Sequence, residues 1–255
     1  MNSILSVADA TFRETVRRRV FFVSVAFAVL IFITPLIAIP LASGQRDTLV
    51  KDIGLSFIDL FGVLLAVLMV TSLVHDEIDR KTVYTVLARP IRRRDYVAGK
   101  YLGLLLMSAA NLGIMAVAFV AILAAVLGRV QLGLFASVAL SFLQVSVITA
   151  FALLFTTIST PLIATIGSLF VFIAGHLLTD VQLFASRFAG PVGGRFLEAT
   201  TYVLPNLSHF DAKGEFVYGS GVRPEFLLLA LAYAACYCLL VLLLTALAFE
   251  KREFK

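Results

Sequence analysis

Long apolar blocks divided by short polar breaks set the pattern of this chain. Six blocks are long enough to cross a bilayer, which takes about 20 helical residues: 20–42, 53–74, 102–127, 134–158, 161–179 and 226–249. No Lys or Arg falls inside the core of any of them. The breaks between them differ. Residues 43–52 read as a short polar loop. GRVQLG (128–133) and Ser159-Thr160-Pro161 read as tight turns, and Pro161 suits the first turn of the helix that follows. Residues 180–225 form a long mixed segment, and EKREFK (250–255) is a charged tail. The densest charge lies in 75–101, HDEIDRKTVYTVLARPIRRRDYVAGKY.

Composition agrees with this pattern. Of 255 residues, 60% are hydrophobic and 15% charged, with a mean hydropathy of +1.00, whereas soluble domains are nearer half and a quarter. The fold expected is an all-α polytopic membrane protein in a single domain, 1–255. It has six transmembrane helices, an N-terminal interfacial helix, a cytoplasmic helix within 75–101 and a short extracytoplasmic helical insertion within 180–225.

The net charge of +5 does not point to nucleic acid, because the basic residues cluster at the ends of apolar runs. With both termini on one side, that side holds Arg13, Arg17, Arg18, Arg19, Arg80, Lys81, Arg89, Arg92, Arg93, Arg94, Lys100, Lys251, Arg252 and Lys255. The other side holds half as many: Arg46, Lys51, Arg129, Arg187, Arg195, Lys213 and Arg223. The positive-inside rule then places both termini and 75–101 in the cytoplasm, across a cell inner membrane. The run at 20–42 is too long for a signal-peptide core and reads as a retained first span.

Before that span, Val7, Thr11, Thr15 and Arg18 share one helical side, and Ala8, Phe12, Val16 and Arg19 another. That spacing predicts a helix over 8–19 lying on the inner membrane surface. In the long segment, RFLEATTYVL (195–204) carries an apolar stripe too short to span, followed by a turn at Pro205-Asn206. Backbone at a membrane that does not span it must lie at the interface or under protein.

Residues 75–89 read as a separate short amphipathic helix. Asp76, Glu77 and Asp79 fall in its first turn, where acids complement the helix dipole. Val83, Val86 and Leu87 form an apolar side, and Pro90 stops it. A basic turn follows at Arg92, Arg93 and Arg94, and Tyr96 and Tyr101 suit the membrane interface. Gly99 and Gly103 lie four apart. A capped helix with an exposed apolar side suits a soluble partner that docks on it.

The ordered set Glu77-x-Asp79-x-x-Thr82, Pro90-Ile91-x-Arg93 and Gly99-Lys100-Tyr101-Leu102 resembles the cytoplasmic loop of ABC-transporter permeases of the type 2, export-type family. Lys81 stands where that family usually has Gly, and Arg92 where it has Ser. The resemblance implies that the loop is a coupling helix seated in a groove of a separate ATPase subunit, which binds ATP and Mg. Glu77, Asp79, Arg80 and Thr82 would make polar contacts. Val83, Val86 and Leu87 would anchor the helix, and Pro90, Arg92, Arg93 and Arg94 would form its turn. Two permease copies, as a homodimer or with a close paralogue, would work with two ATPase copies.

LASGQRD (41–47) looks like the signature sequence of an ABC ATPase, but it sits at the end of the first span. No G-x-x-x-x-G-K-[ST] phosphate loop occurs in this sequence, so ATP hydrolysis is expected in a partner and the chain is not expected to be an enzyme. Intramembrane polar residues are candidates for function by default. They are Asp59, Asn111, Gln144 and His176, with Asp180 at the end of the fifth run, and Asp59 and His176 fall at depths that would let them pair. His75, His176 and His209 show no metal-ligand spacing, and Cys236 and Cys238 fall on different helical faces as apolar fillers. The competing readings are a secondary carrier or scaffold without an ATPase, and an intramembrane lipid-modifying enzyme. The first needs interrupted spans in matching positions of the two halves, and the second a cluster of acids, histidines or a nucleophile at one depth.

Overall fold

The computed structural model describes residues 3–16, 29, 33, 46–79, 93–127, 133–188, 204–211 and 224–251. These form helices α1 (Ser3–Val16), α2 (Arg46–Asp79), α3 (Arg93–Leu127), α4 (Gly133–Ile158), α5 (Pro161–Phe188) and α6 (Pro224–Lys251), with a 3₁₀ turn at Leu207–Phe210. Among the described residues there is no strand. Five of the helices, α2 to α6, are long and apolar enough to cross a membrane. The expected first span, 20–42, lies outside the described residues except for Val29 and Ile33, which are helical and exposed.

Helix α4 is the hub. It packs against α2, α3, α5 and α6, and 67% of its most apolar stretch is buried, against 28% for α5 and 22% for α6. A helix apolar on all sides belongs in the core, and several of its hydroxyls bond within the helix. Thr149 and Thr156 donate to the carbonyls of Val145 and Ala152, at 2.7 and 2.6 Å. The exposed stripes of α5 (Leu162, Ile166, Phe170, Ile173) and α6 (Leu229, Leu240, Leu243) are what helices facing lipid tails require. Pro161 opens α5 as expected, with only Ser159 and Thr160 separating it from α4.

Three helices run past their apolar blocks, α5 by continuing from Thr179 to Phe188. α2 has 34 residues and α3 has 35, about 50 Å each at 1.5 Å per residue, against a hydrocarbon core of about 30 Å. The loop expected at 43–52 is helical from Arg46 onward, with Asp47 in the first turn. At the other end α2 continues unbroken through His75 to Asp79. Asp76, Glu77 and Asp79 therefore close the helix of the second span rather than open a helix of their own. No Pro or Gly occurs between Val74 and Asp79 to stop the helix, although acids at a helix C-terminus oppose its dipole. Arg93, Arg94 and Asp95 likewise begin α3.

Candidate functional site

Of the residues expected to couple to an ATPase, Arg80, Thr82, Val83, Val86, Leu87, Pro90 and Arg92 lie outside the described residues. Glu77 and Asp79 end α2, Arg93 begins α3, and Arg94 follows it with an exposed side chain. The segment is thus carried between two helices that each continue through the bundle.

Beside it, α1 docks on the first turns of α3. A Cβ placed on Gly99 would lie 2.7 Å from the Ile4 carbonyl oxygen and 2.8 Å from Val7 Cβ. One on Gly103 would lie 2.7 Å from the Ala8 carbonyl oxygen and 2.6 Å from Thr11 Cβ. Small residues four apart let two backbones approach closely. The stripe of Val7, Thr11 and Thr15 is buried, and since α1 packs against α3 it meets protein. The helix expected on a lipid surface uses this side for a helix–helix contact instead. Its outward side carries the exposed pair Arg13–Asp9 at 2.9 Å.

Tyr96 and Tyr101, expected at the membrane interface, are buried. Tyr96 stacks on Phe249 of α6 at 5.6 Å. The Tyr101 hydroxyl lies 3.1 Å from the Ser146 carbonyl oxygen of α4 and 3.0 Å from Cys238 Sγ of α6, and is set to donate to either. Cys238 is buried and Cys236 exposed, in keeping with different helical faces. Tyr101 therefore ties the start of α3 to both α4 and α6.

The intramembrane polar candidates do not converge on one centre. Asp59 of α2 accepts a hydrogen bond from Ser141 of α4. Asn111 of α3 donates to Met69 Sδ of α2 at 3.5 Å. His176 Nδ1 lies 3.2 Å from the Phe172 carbonyl of its own helix, and its ring meets Phe172 edge-on. Gln144 is buried, and its Nε2 has no hydrogen-bond partner among the described residues. No group of three or more His, Cys, Asp or Glu able to hold a metal occurs among the described residues.

At the opposite end of the bundle the chain turns after Pro205-Asn206, where a turn was expected, but its anchoring was not foreseen. Asn206 caps the 3₁₀ turn, its side chain accepting from the Ser208 backbone N–H at 3.1 Å. The Asn206 backbone N–H donates to the Tyr233 hydroxyl of α6 at 2.8 Å. On the other flank, a Cβ on Gly175 of α5 would lie 2.7 Å from the Pro205 carbonyl oxygen and 2.7 Å from Leu207 Cγ. Segment 204–211 is thus wedged between α5 and α6 and borders a cavity of about 700 Å³. The sequence signal for it was Tyr233-x-x-x-Tyr237, a tyrosine pair one helical turn apart in a run with no other tyrosine.

The family model described as "ABC-2 family transporter protein" matches residues 5–254. The chain belongs to the ABC-2 transporter family. It is a multi-pass membrane protein of the permease kind, and the resemblance carried by 77–102 is to the family that the whole chain matches. No curated protein matches the chain.

Proposed function

We propose that the chain is the membrane subunit of an ATP-driven exporter. Two copies form the substrate path, and two separate ATPase subunits, which bind ATP and Mg, dock at the coupling segment within 75–101. The observation that carries this reading is the match to the ABC-2 transporter family over residues 5–254. The lack of a phosphate-binding glycine loop in the sequence and the basic excess on the side of 75–101 support it. They favour ATP hydrolysis in a partner and a cytoplasmic position for both termini, in the inner membrane. The full arrangement is six spans, with the first at 20–42 and α1 at the cytoplasmic face.

In this reading ATP-driven closure of the ATPases pulls on the ends of α2 and α3. Both helices are continuous, so the displacement passes into the bundle. Tyr101 transfers it from α3 to α4 and α6, and the spans rock. Gln144 and Asn111 of the buried bundle are then available to line the path during the motion.

Deleting 82–87, or reversing the charges of Glu77 and Asp79 to Lys, should abolish copurification with the ATPase while the chain still inserts in the membrane. Copurification unchanged in both variants would remove the docking claim and leave a carrier or scaffold as the better reading.

A further inference from the structure

Helices α5 and α6 both pack on α4, yet they meet each other mainly through the wedge at 204–211. The cavity beside the wedge has two unlike walls. One is polar and already ordered by a hydrogen-bond relay. The Asn206 amide donates to Thr179 Oγ1 at 3.5 Å, Thr179 donates to Ser208 Oγ at 3.1 Å, and Ser208 donates to the His176 carbonyl at 3.3 Å. This relay leaves Asn206 a free amide hydrogen and leaves each hydroxyl a free lone pair. Gln182 adds an exposed amide at the rim. The other wall is Phe226, Tyr233 and Tyr237, spaced along one side of α6.

The chemistry of these walls narrows the ligand. Among the described residues lining the cavity there is no Lys, Arg, Asp or Glu, and the one imidazole, His209, stacks on Tyr233 with its Nδ1 3.2 Å from the Asn206 carbonyl oxygen rather than standing in the polar wall. A phosphate or carboxylate is an acceptor that calls for cationic donors, and the polar wall offers none. A quaternary ammonium calls for open aromatic faces, and one face of Tyr233 is stacked against His209 at 5.3 Å. A wall that presents both donors and acceptors, all uncharged, matches hydroxyl groups, each of which donates and accepts. The walls are also ordered by depth. Asp180 interrupts the apolar run of α5 just after Thr179, with Gln182 beyond it, whereas Tyr233 and Tyr237 lie about two and three turns inside the apolar run of α6 that begins at Phe226.

We propose that this cleft binds an amphipathic molecule whose uncharged, hydroxyl-bearing head lies on the Asn206–Thr179–Ser208 wall and whose apolar tail follows Phe226, Tyr233 and Tyr237 into the bilayer. A cavity of about 700 Å³ is of the size that holds such a ligand. The site is a property of this chain and stands whether or not an ATPase docks at the other end.

The test uses the full chain in vesicles containing equal amounts of monoglucosyl diacylglycerol, phosphatidic acid and phosphatidylcholine, followed by native mass spectrometry of the lipids that remain bound. The glucosyl lipid should be retained about tenfold over the other two, the preference that about one net hydrogen bond gives at a wall water can still reach. Gln182→Ala, at the exposed rim, and Phe226→Ala should each lower that retention severalfold while the elution volume of the protein stays unchanged. Octyl glucoside should displace the lipid, and free glucose should not. Equal retention of the charged-head lipids, or retention unchanged in both variants, overturns the proposal. Displacement by free glucose as effective as that by octyl glucoside overturns the amphipathic part, because the tail would then contribute nothing.

Discussion

The two ends of the bundle are built on opposite rules. At the end carrying 75–101, helix meets helix directly: α1 lies on α3 across Gly99 and Gly103, Tyr96 stacks on Phe249, and Tyr101 joins three helices. At the other end, α5 and α6 are bridged by a short non-helical wedge with a cavity beside it. Close packing transmits displacement because it leaves little volume to absorb it. A bridge of a few hydrogen bonds over a cavity yields more easily. The difference suits a lever at one end and a cleft that changes shape at the other.

Four variants set these two ends against each other. The largest effect is expected from Gly99→Leu with Gly103→Leu, where the new side chains meet backbone atoms that have no freedom to turn aside. Undocking α1 should cost about 3 kcal/mol and appear as loss of hydrogen-exchange protection over α1. Protection unchanged there would show that the close approach is not needed. Gly175→Leu should lift the wedge from α5 at about 2 kcal/mol, with faster exchange confined to 204–211 and the α1 end unaffected. If both ends loosen together, the two ends are not independent. Tyr101→Phe removes one hydroxyl and keeps the ring, so it should cost about 1 kcal/mol in thermal unfolding. It should also weaken the response of α6 to ATP more than it weakens the fold. Arg13→Ala removes the exposed pair with Asp9 and should shift stability by less than about 0.5 kcal/mol.

Five of the six expected spans were legible because lipid imposes one rule, an apolar run of sufficient length, and 134–158 and 161–179 show it with hardly any interruption. Helix ends were less legible, since a helix continues past the lipid until a residue stops it. Charge alone did not stop α2 at Val74 or begin it after Asp52. The side of α1 that would be buried was visible as a stripe, but its partner was not, because Val7 and Thr11 suit lipid and a glycine-lined helix equally well. Tyr101 was assigned to the interface on residue type, yet its position is set by Ser146 and Cys238, which are remote in sequence. The cleft depends on the same kind of remote pairing, between Asn206 and Tyr233 and between Gly175 and Leu207.

The central claim is that a pull at 75–101 reshapes the α5–α6 cleft. Spin labels at Leu177 of α5 and Leu229 of α6, both exposed, report on that cleft once the exposed Cys236 is replaced by Ser. Their separation should be measured by pulsed electron resonance in the permease–ATPase complex, with and without ATP. The distance distribution should shift on adding ATP, and the shift should vanish when 82–87 is deleted. A distribution that ignores ATP, or an ATP-driven shift that survives the deletion, would contradict the account.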